Sequence, residues 1–206
     1  MNLQNEIERI FGENIFARPL FYSYRGGLRF ALSESGGNID MFLTALRKAS
    51  RICQDIFGAE ESLVVSLRAH SDGNYFACRP ELRVLRKAGI VIPRTRTLWR
   101  EDIEVEERCF EDRPEYWVNV AFQVPVSKLE ALLWLALAKD LGVIEPTIHC
   151  ALYLFNLSQR ILVFPYDDRG MDVVGPNPAR LSQLYHQHQQ YLLDYDRETM
   201  DSTFAV

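Results

Sequence analysis

The sequence predicts an α+β fold: a single compact domain over residues 1–206, with a mostly antiparallel sheet packed by about four helices. Two patterns point there. Apolar residues recur at helical spacing in the long stretches, and alternate with polar ones in the segments between. The closing strands are also joined by loops too short to hold crossover helices, which favours antiparallel pairing. A chain of 206 residues with 48% hydrophobic content is long enough to bury one substantial core.

Residues 2–11 place Leu3, Ile7 and Ile10 or Phe11 on one helical face. The stretch PLFYSYRGGLRFAL, residues 19–32, alternates on both sides of Gly26 and Gly27 and predicts a β-hairpin with a tight glycine turn. From Asn38 to Phe57 the positions Ile39, Phe42, Leu43, Leu46, Ala49, Cys53 and Ile56 form one stripe, and Gly58 ends that helix. SLVVSLRAH, residues 62–70, reads as a buried strand, and Pro80 opens a helix carrying Leu82, Leu85 and Ile90.

Charge then divides. Arg79, Arg83, Arg86, Lys87, Arg94, Arg96 and Arg100 precede an acidic block of Glu101, Asp102, Glu104, Glu106, Glu107, Glu111, Asp112 and Glu115. The segment at about 93–112 predicts a polar hairpin on the edge of the sheet, its charges blocking edge-to-edge pairing. EYWVNVAFQVP is another strand. Ser127 and Glu130 make a capping-box pattern ahead of a helix that is apolar nearly all round, with Gly142 placed to stop it. TIHCALYLF, RILVFPY and MDVV predict a three-stranded meander. Asn177 and Pro178 start the last helix, whose stripe runs through Leu181, Leu184, Tyr185, His188, Leu192 and Tyr195.

Composition excludes several functions. A net charge of −5 argues against a protein built to hold nucleic acid. Cys53, Cys78, Cys109 and Cys150 lie far apart with no Cys-x-x-Cys pair, so neither a zinc site nor a disulfide scaffold is expected, and reduced thiols suit the cytoplasm. The amino terminus lacks the basic start of a signal peptide, and the longest apolar block, Ala131–Ala138, is far short of the ~20 residues of a membrane helix. No membrane contact and no cofactor is implied.

The stretch most like chemistry is FPYDDRGMDVVG, residues 164–175, with Asp167, Asp168 and Asp172 around Arg169 and Gly170. Its bland reading is a type I turn at 167–170 closed by a left-handed glycine, with Asp167 bonding its own turn backbone and Asp168 pointing into water. Asp194 and Asp196 are expected near the carboxyl end of the last helix, where the macrodipole disfavours anions. Arg169 would then clamp that helix to the meander through Asp194. Three carboxylates within six residues also fit a divalent cation if they converge. His70, Ser71 and Asp72 contain the residue types of a hydrolase triad, but neighbours on one turn cannot face one another as nucleophile, base and orienter.

The pieces FN (155–156), YDDRGMDVVG, LxxLYxxxxxYLLDYDRE (181–198), LRFAL and ALRKASRICQDIF together resemble a bacterial family known only as a domain of unknown function. The resemblance is strongest over 145–198 and weaker over 26–66. It implies a bacterial cytosolic protein and carries over no catalytic residue. The expected function is a non-enzymatic protein-binding module that meets a basic protein partner through its acidic face, in the manner of a toxin-neutralising immunity protein. The alternative is a metal-dependent hydrolase in which Asp167, Asp168 and Asp172 converge with Asp194 or Asp196.

Overall fold

Helix α1 (Leu3–Phe11) starts where the Asn2 side chain accepts from the Gln4 amide, and it buries Leu3, Ile7 and Phe11. The computed structural model describes residues 2–205 apart from 13, 14, 17, 75 and 104–114. A short helix α2 (Leu20–Ser23) leads to strand β1 (Leu28–Ala31), helix α3 (Asn38–Phe57), strand β2 (Ser62–Ser71) and helix α4 (Arg79–Lys87). Strands β3 (Thr97–Asp102) and β4 (Tyr116–Pro125) precede helix α5 (Leu129–Leu137). Then come β5 (Ala151–Asn156), β6 (Ile161–Asp167) and β7 (Gly170–Val174), followed by α6 (Pro178–Gln187) and α7 (Arg197–Phe204). No helix among the described residues is long and apolar enough to cross a membrane.

All seven strands join one antiparallel sheet in the order β1-β7-β6-β5-β2-β4-β3. The expected meander is its β5-β6-β7 segment. The two faces bury alternate residues of each strand, as the pleat requires. Leu154, Val163 and Val173 point to the larger core, with the stripes of α3 and α5. Tyr153, Phe164 and Val174 point to the smaller one, under α1 and Phe16. Helix α5 buries six of its nine residues, which is why its sequence lacks a polar face.

Several expectations are corrected. There is no hairpin at Gly26 and Gly27: its first arm is α2, and β1 pairs instead with β7, Leu28 opposite Val173 and Ala31 opposite Gly170. The alternation over 19–24 is that of a half-buried turn of helix. The capping box at Ser127 does not form, because a single 3₁₀ turn over Val126–Lys128 leads into α5 and no side chain caps it. The last helix stops at Gln187, and a 3₁₀ turn at Asp194–Asp196 opens α7, so Asp194 and Asp196 lie at a helix start, where the macrodipole favours them. Tyr195, expected on the apolar stripe, is among the exposed large side chains. Instead of about four helices there are seven among the described residues. In the expected polar hairpin, β3 takes β4 as its neighbour, Asp102 opposite Tyr116; the other arm falls at 104–112, outside the described residues.

Candidate functional site

Asp172 sits in the middle of β7, a strand with every residue buried. A carboxylate there costs several kcal/mol unless it is paired. Both its oxygens are engaged: Oδ1 accepts from Arg29 Nε at 2.9 Å and Oδ2 from the Phe21 amide at 3.0 Å. Arg29 stands directly opposite on β1, and its other arm reaches across to Asp196, Nη1 to Oδ2 at 3.0 Å. Asp196 Oδ1 accepts from the Tyr22 hydroxyl at 2.6 Å. The guanidinium also lies 5.0 Å from the Tyr22 ring centroid and 5.5 Å from that of Phe21. One arginine thus joins β1, β7, α2 and the turn before α7.

Burial and charge oppose each other here. Burial pushes the Asp172 carboxyl above the ordinary carboxylate range while Arg29 pulls it down. Burial would lower the Arg29 guanidinium, but the coulombic field of Asp172 and the hydrogen bond to Asp196 lead the effects that raise it, and these outweigh burial. With a donor on each oxygen and almost no exposure, Asp172 is held by the fold, a poor position from which to take a proton from a substrate.

Arg169 does not clamp Asp194. Its guanidinium folds onto Asp167, two residues away, and Asp167 Oδ1 also accepts the Arg169 amide at 2.9 Å. Asp194 is exposed. The weld between the carboxyl-terminal segment and the meander exists, but Arg29 and Asp196 make it. The Asp167 backbone bond is as expected, whereas Gly170 is not left-handed. It is glycine because a Cβ would meet the Tyr166 hydroxyl and the Phe30 carbonyl oxygen, the latter at 2.7 Å. The bulge falls at Tyr166, between Pro165 and Asp167. Asp168 is buried, not in water, beside Ser33; its Oδ2 has no hydrogen-bond partner among the described residues. Burial, then the charge of Asp167, raises its carboxyl above the usual range.

Of the six singled-out residues, Asp167, Arg169 and Asp172 lie on the wall of one cavity of about 370 Å³, while Asp168, Asp194 and Asp196 do not. The carboxylates do not converge on a vacant centre, and among the described residues no group of three or more His, Cys, Asp or Glu side chains could hold a metal ion. Nor is there a triad at 70–72: His70 Nε2 faces Glu115 at 2.8 Å and Ser71 Oγ donates to the Asn74 carbonyl. His188 is buried in the core with Nε2 2.8 Å from Asp55.

Sequence reasoning missed Arg29, Tyr22, Arg18 and Lys139. The available signal was Asp172 itself, since an acid inside an apolar strand demands a cation. Nothing local says that the cation lies 143 positions away. The five quoted family stretches interlock in space: Arg29 of LRFAL binds Asp172 of the meander and Asp196 of DYDRE, Asn156 of FN donates to the Ile56 carbonyl of α3, and His188 meets Asp55. Neither the curated proteins nor the solved structures include a match to this chain. A family model does match, over residues 3–196, and the chain belongs to that family, described as Domain of unknown function (DUF3885).

Proposed function

We propose that the protein is a non-enzymatic binding module that recognises a basic protein partner through the acidic segment between β3 and β4. The observation that carries this reading is that Asp167, Asp172 and Asp196, the buried acids of the corner other than Asp168, are engaged by arginines, a hydroxyl or amides of the fold, which favours a structural role for them over one as acid or base groups. Glu101 is likewise turned inward, accepting from Arg68, Trp99 and Asn119. Glu115 is buried against His70, while Glu104, Glu106, Glu107, Glu111 and Asp112 stand against only Arg108 and Arg113 in the sequence of 104–114. Their segment leaves and rejoins the sheet at Asp102 and Tyr116, a paired position on the outermost strand. An excess of acidic over basic residues favours fast, salt-sensitive encounter with a basic surface.

The test is co-purification from the native host, with a variant in which Glu104, Glu106 and Glu107 are changed to Lys as the control. A stoichiometric basic protein retained by the natural chain and lost with the variant supports the reading. Isolation of the chain alone under several growth conditions, or retention by the variant, counts against it.

A further inference from the structure

Strands β5 and β6 pair only over Leu154–Asn156 and Ile161–Val163. Beyond that point they part. The first residues of β5 stay with β2, Ala151 opposite Arg68, while β6 runs on beside β7 to Asp167. Pro165 has no N–H to lend to a ladder, and the bulge at Tyr166 turns the strand further. The cavity of about 370 Å³ opens in this fork, with the end of α5 and the Arg18-Pro19 corner closing its sides.

Its charges balance in number but are unevenly paired, with Arg18, Arg29, Lys139 and Arg169 against Asp140, Asp167 and Asp172 on the wall and Asp196 off it. Arg29 is neutralised by Asp172 and Asp196, and Arg169 by Asp167. Left on the wall are Arg18 and Lys139 against the exposed Asp140. Among the described residues neither Arg18 nor Lys139 has a carboxylate within ion-pair distance. Arg18 is held in place without being used up: its Nε donates to the Tyr153 hydroxyl at 3.3 Å and its guanidinium lies 5.0 Å from the centroid of the Phe164 ring. Phe164 stacks on Tyr153 at 4.5 Å, so it supports the arginine and offers no platform of its own. The Tyr166 hydroxyl, whose pKa burial first and then Asp172 push up to about 12, stays protonated and able to donate at neutral pH.

We infer that this fork is a binding site for a small organic anion, a phosphate- or carboxylate-bearing metabolite, gripped by Arg18 and Lys139. The size suits a compact molecule, near the lower end of the roughly 300–1,000 Å³ of ligand pockets. A fixed guanidinium with free Nη groups suits a planar or tetrahedral oxyanion, and the lysine adds a point charge. The cavity wall shares no residue with the acidic segment of the proposed protein contact, and the two readings are tested by different substitutions.

The experiment is calorimetric titration of the full chain with inorganic phosphate and, separately, with succinate, at low ionic strength. Saturable binding at millimolar or lower concentration is expected for at least one. Phosphate alone points to phosphorylated metabolites, succinate alone to carboxylates, and both to the anionic head as the recognised group. Lys139→Gln and Arg18→Gln each weaken that binding by about tenfold or more, the worth of one charge-assisted hydrogen bond. Arg86→Gln, on exposed α4 surface, does not weaken it. Thermal midpoints without ligand are measured for each variant, and one that keeps the natural midpoint decides the matter if the other does not. No binding of either anion, or binding that survives both substitutions, overturns the proposal.

Discussion

Two arginine–aspartate contacts lie within the same corner of this molecule and differ in nearly everything but their chemistry. Arg29 is 14% exposed and bridges Asp172 and Asp196, which are 1% and 4% exposed and far apart in the chain. Arg169 is 75% exposed and holds Asp167, two residues away. The first contact joins segments that nothing local brings together, in a medium where an unpaired charge is costly. The second tidies a turn already formed by the chain, its carboxylate 5% exposed but its guanidinium largely in solvent. Burial and sequence separation, not the residue pair, decide how much such a contact matters.

Breaking each in turn should separate them. Arg29→Ala leaves Asp172 charged and buried with only the Phe21 amide, and is expected to cost about 3–5 kcal/mol in urea unfolding. A loss no larger than that of an exposed pair would abolish the distinction drawn above. Gly170→Ala comes next. Its methyl group must displace the Tyr166 hydroxyl and meets the Phe30 carbonyl oxygen at 2.7 Å, an overpacking cost of about 1–3 kcal/mol by the same measurement. Arg169→Ala leaves the buried Asp167 with the Arg169 amide as a remaining donor and, since the lost guanidinium is largely in solvent, should cost about 1 kcal/mol, with a dependence on salt that Arg29→Ala lacks.

The smallest effect has the opposite sign. Asp168 has its carboxyl raised by burial and by Asp167, so the folded state holds that proton more tightly than the unfolded chain does. Stability linked to the proton is present below the unfolded value of about 4 and is lost as pH rises through the folded one. Asp168→Asn removes the charge and should raise the thermal midpoint slightly at neutral pH, with the gain shrinking on acidification. A gain that persists unchanged at the acid end would mean that packing, not ionisation, is responsible.

The helix over 38–57, the buried strand at 62 and the closing meander were legible because each carries its own periodicity and its own stop signals. The Asn177 cap was legible for the same reason, and its side chain accepts the Arg180 amide at 3.1 Å. What was not legible depends on partners chosen at a distance. LFYS over 20–23 alternates like a strand, yet with Asp172 waiting for the Phe21 amide it curls into a turn of helix. The glycine at 170 suggested a left-handed turn, whereas it marks a collision with Tyr166 and Phe30 that only the assembled sheet creates. Of the candidate site, the acids were visible from the sequence, but Arg18, Arg29 and Lys139 looked like ordinary surface cations.

The sheet order has a further consequence. Strand β1 is encoded far from its neighbours: it pairs with β7 on one edge and bridges to Leu192 on the other, and its arginine waits for residue 196. During synthesis β1 therefore emerges with no strand edge to join until β7 has followed it. Shortened forms that stop before β7 would expose that orphaned strand, and with it Leu28 and Phe30, to any other unpaired edge they meet.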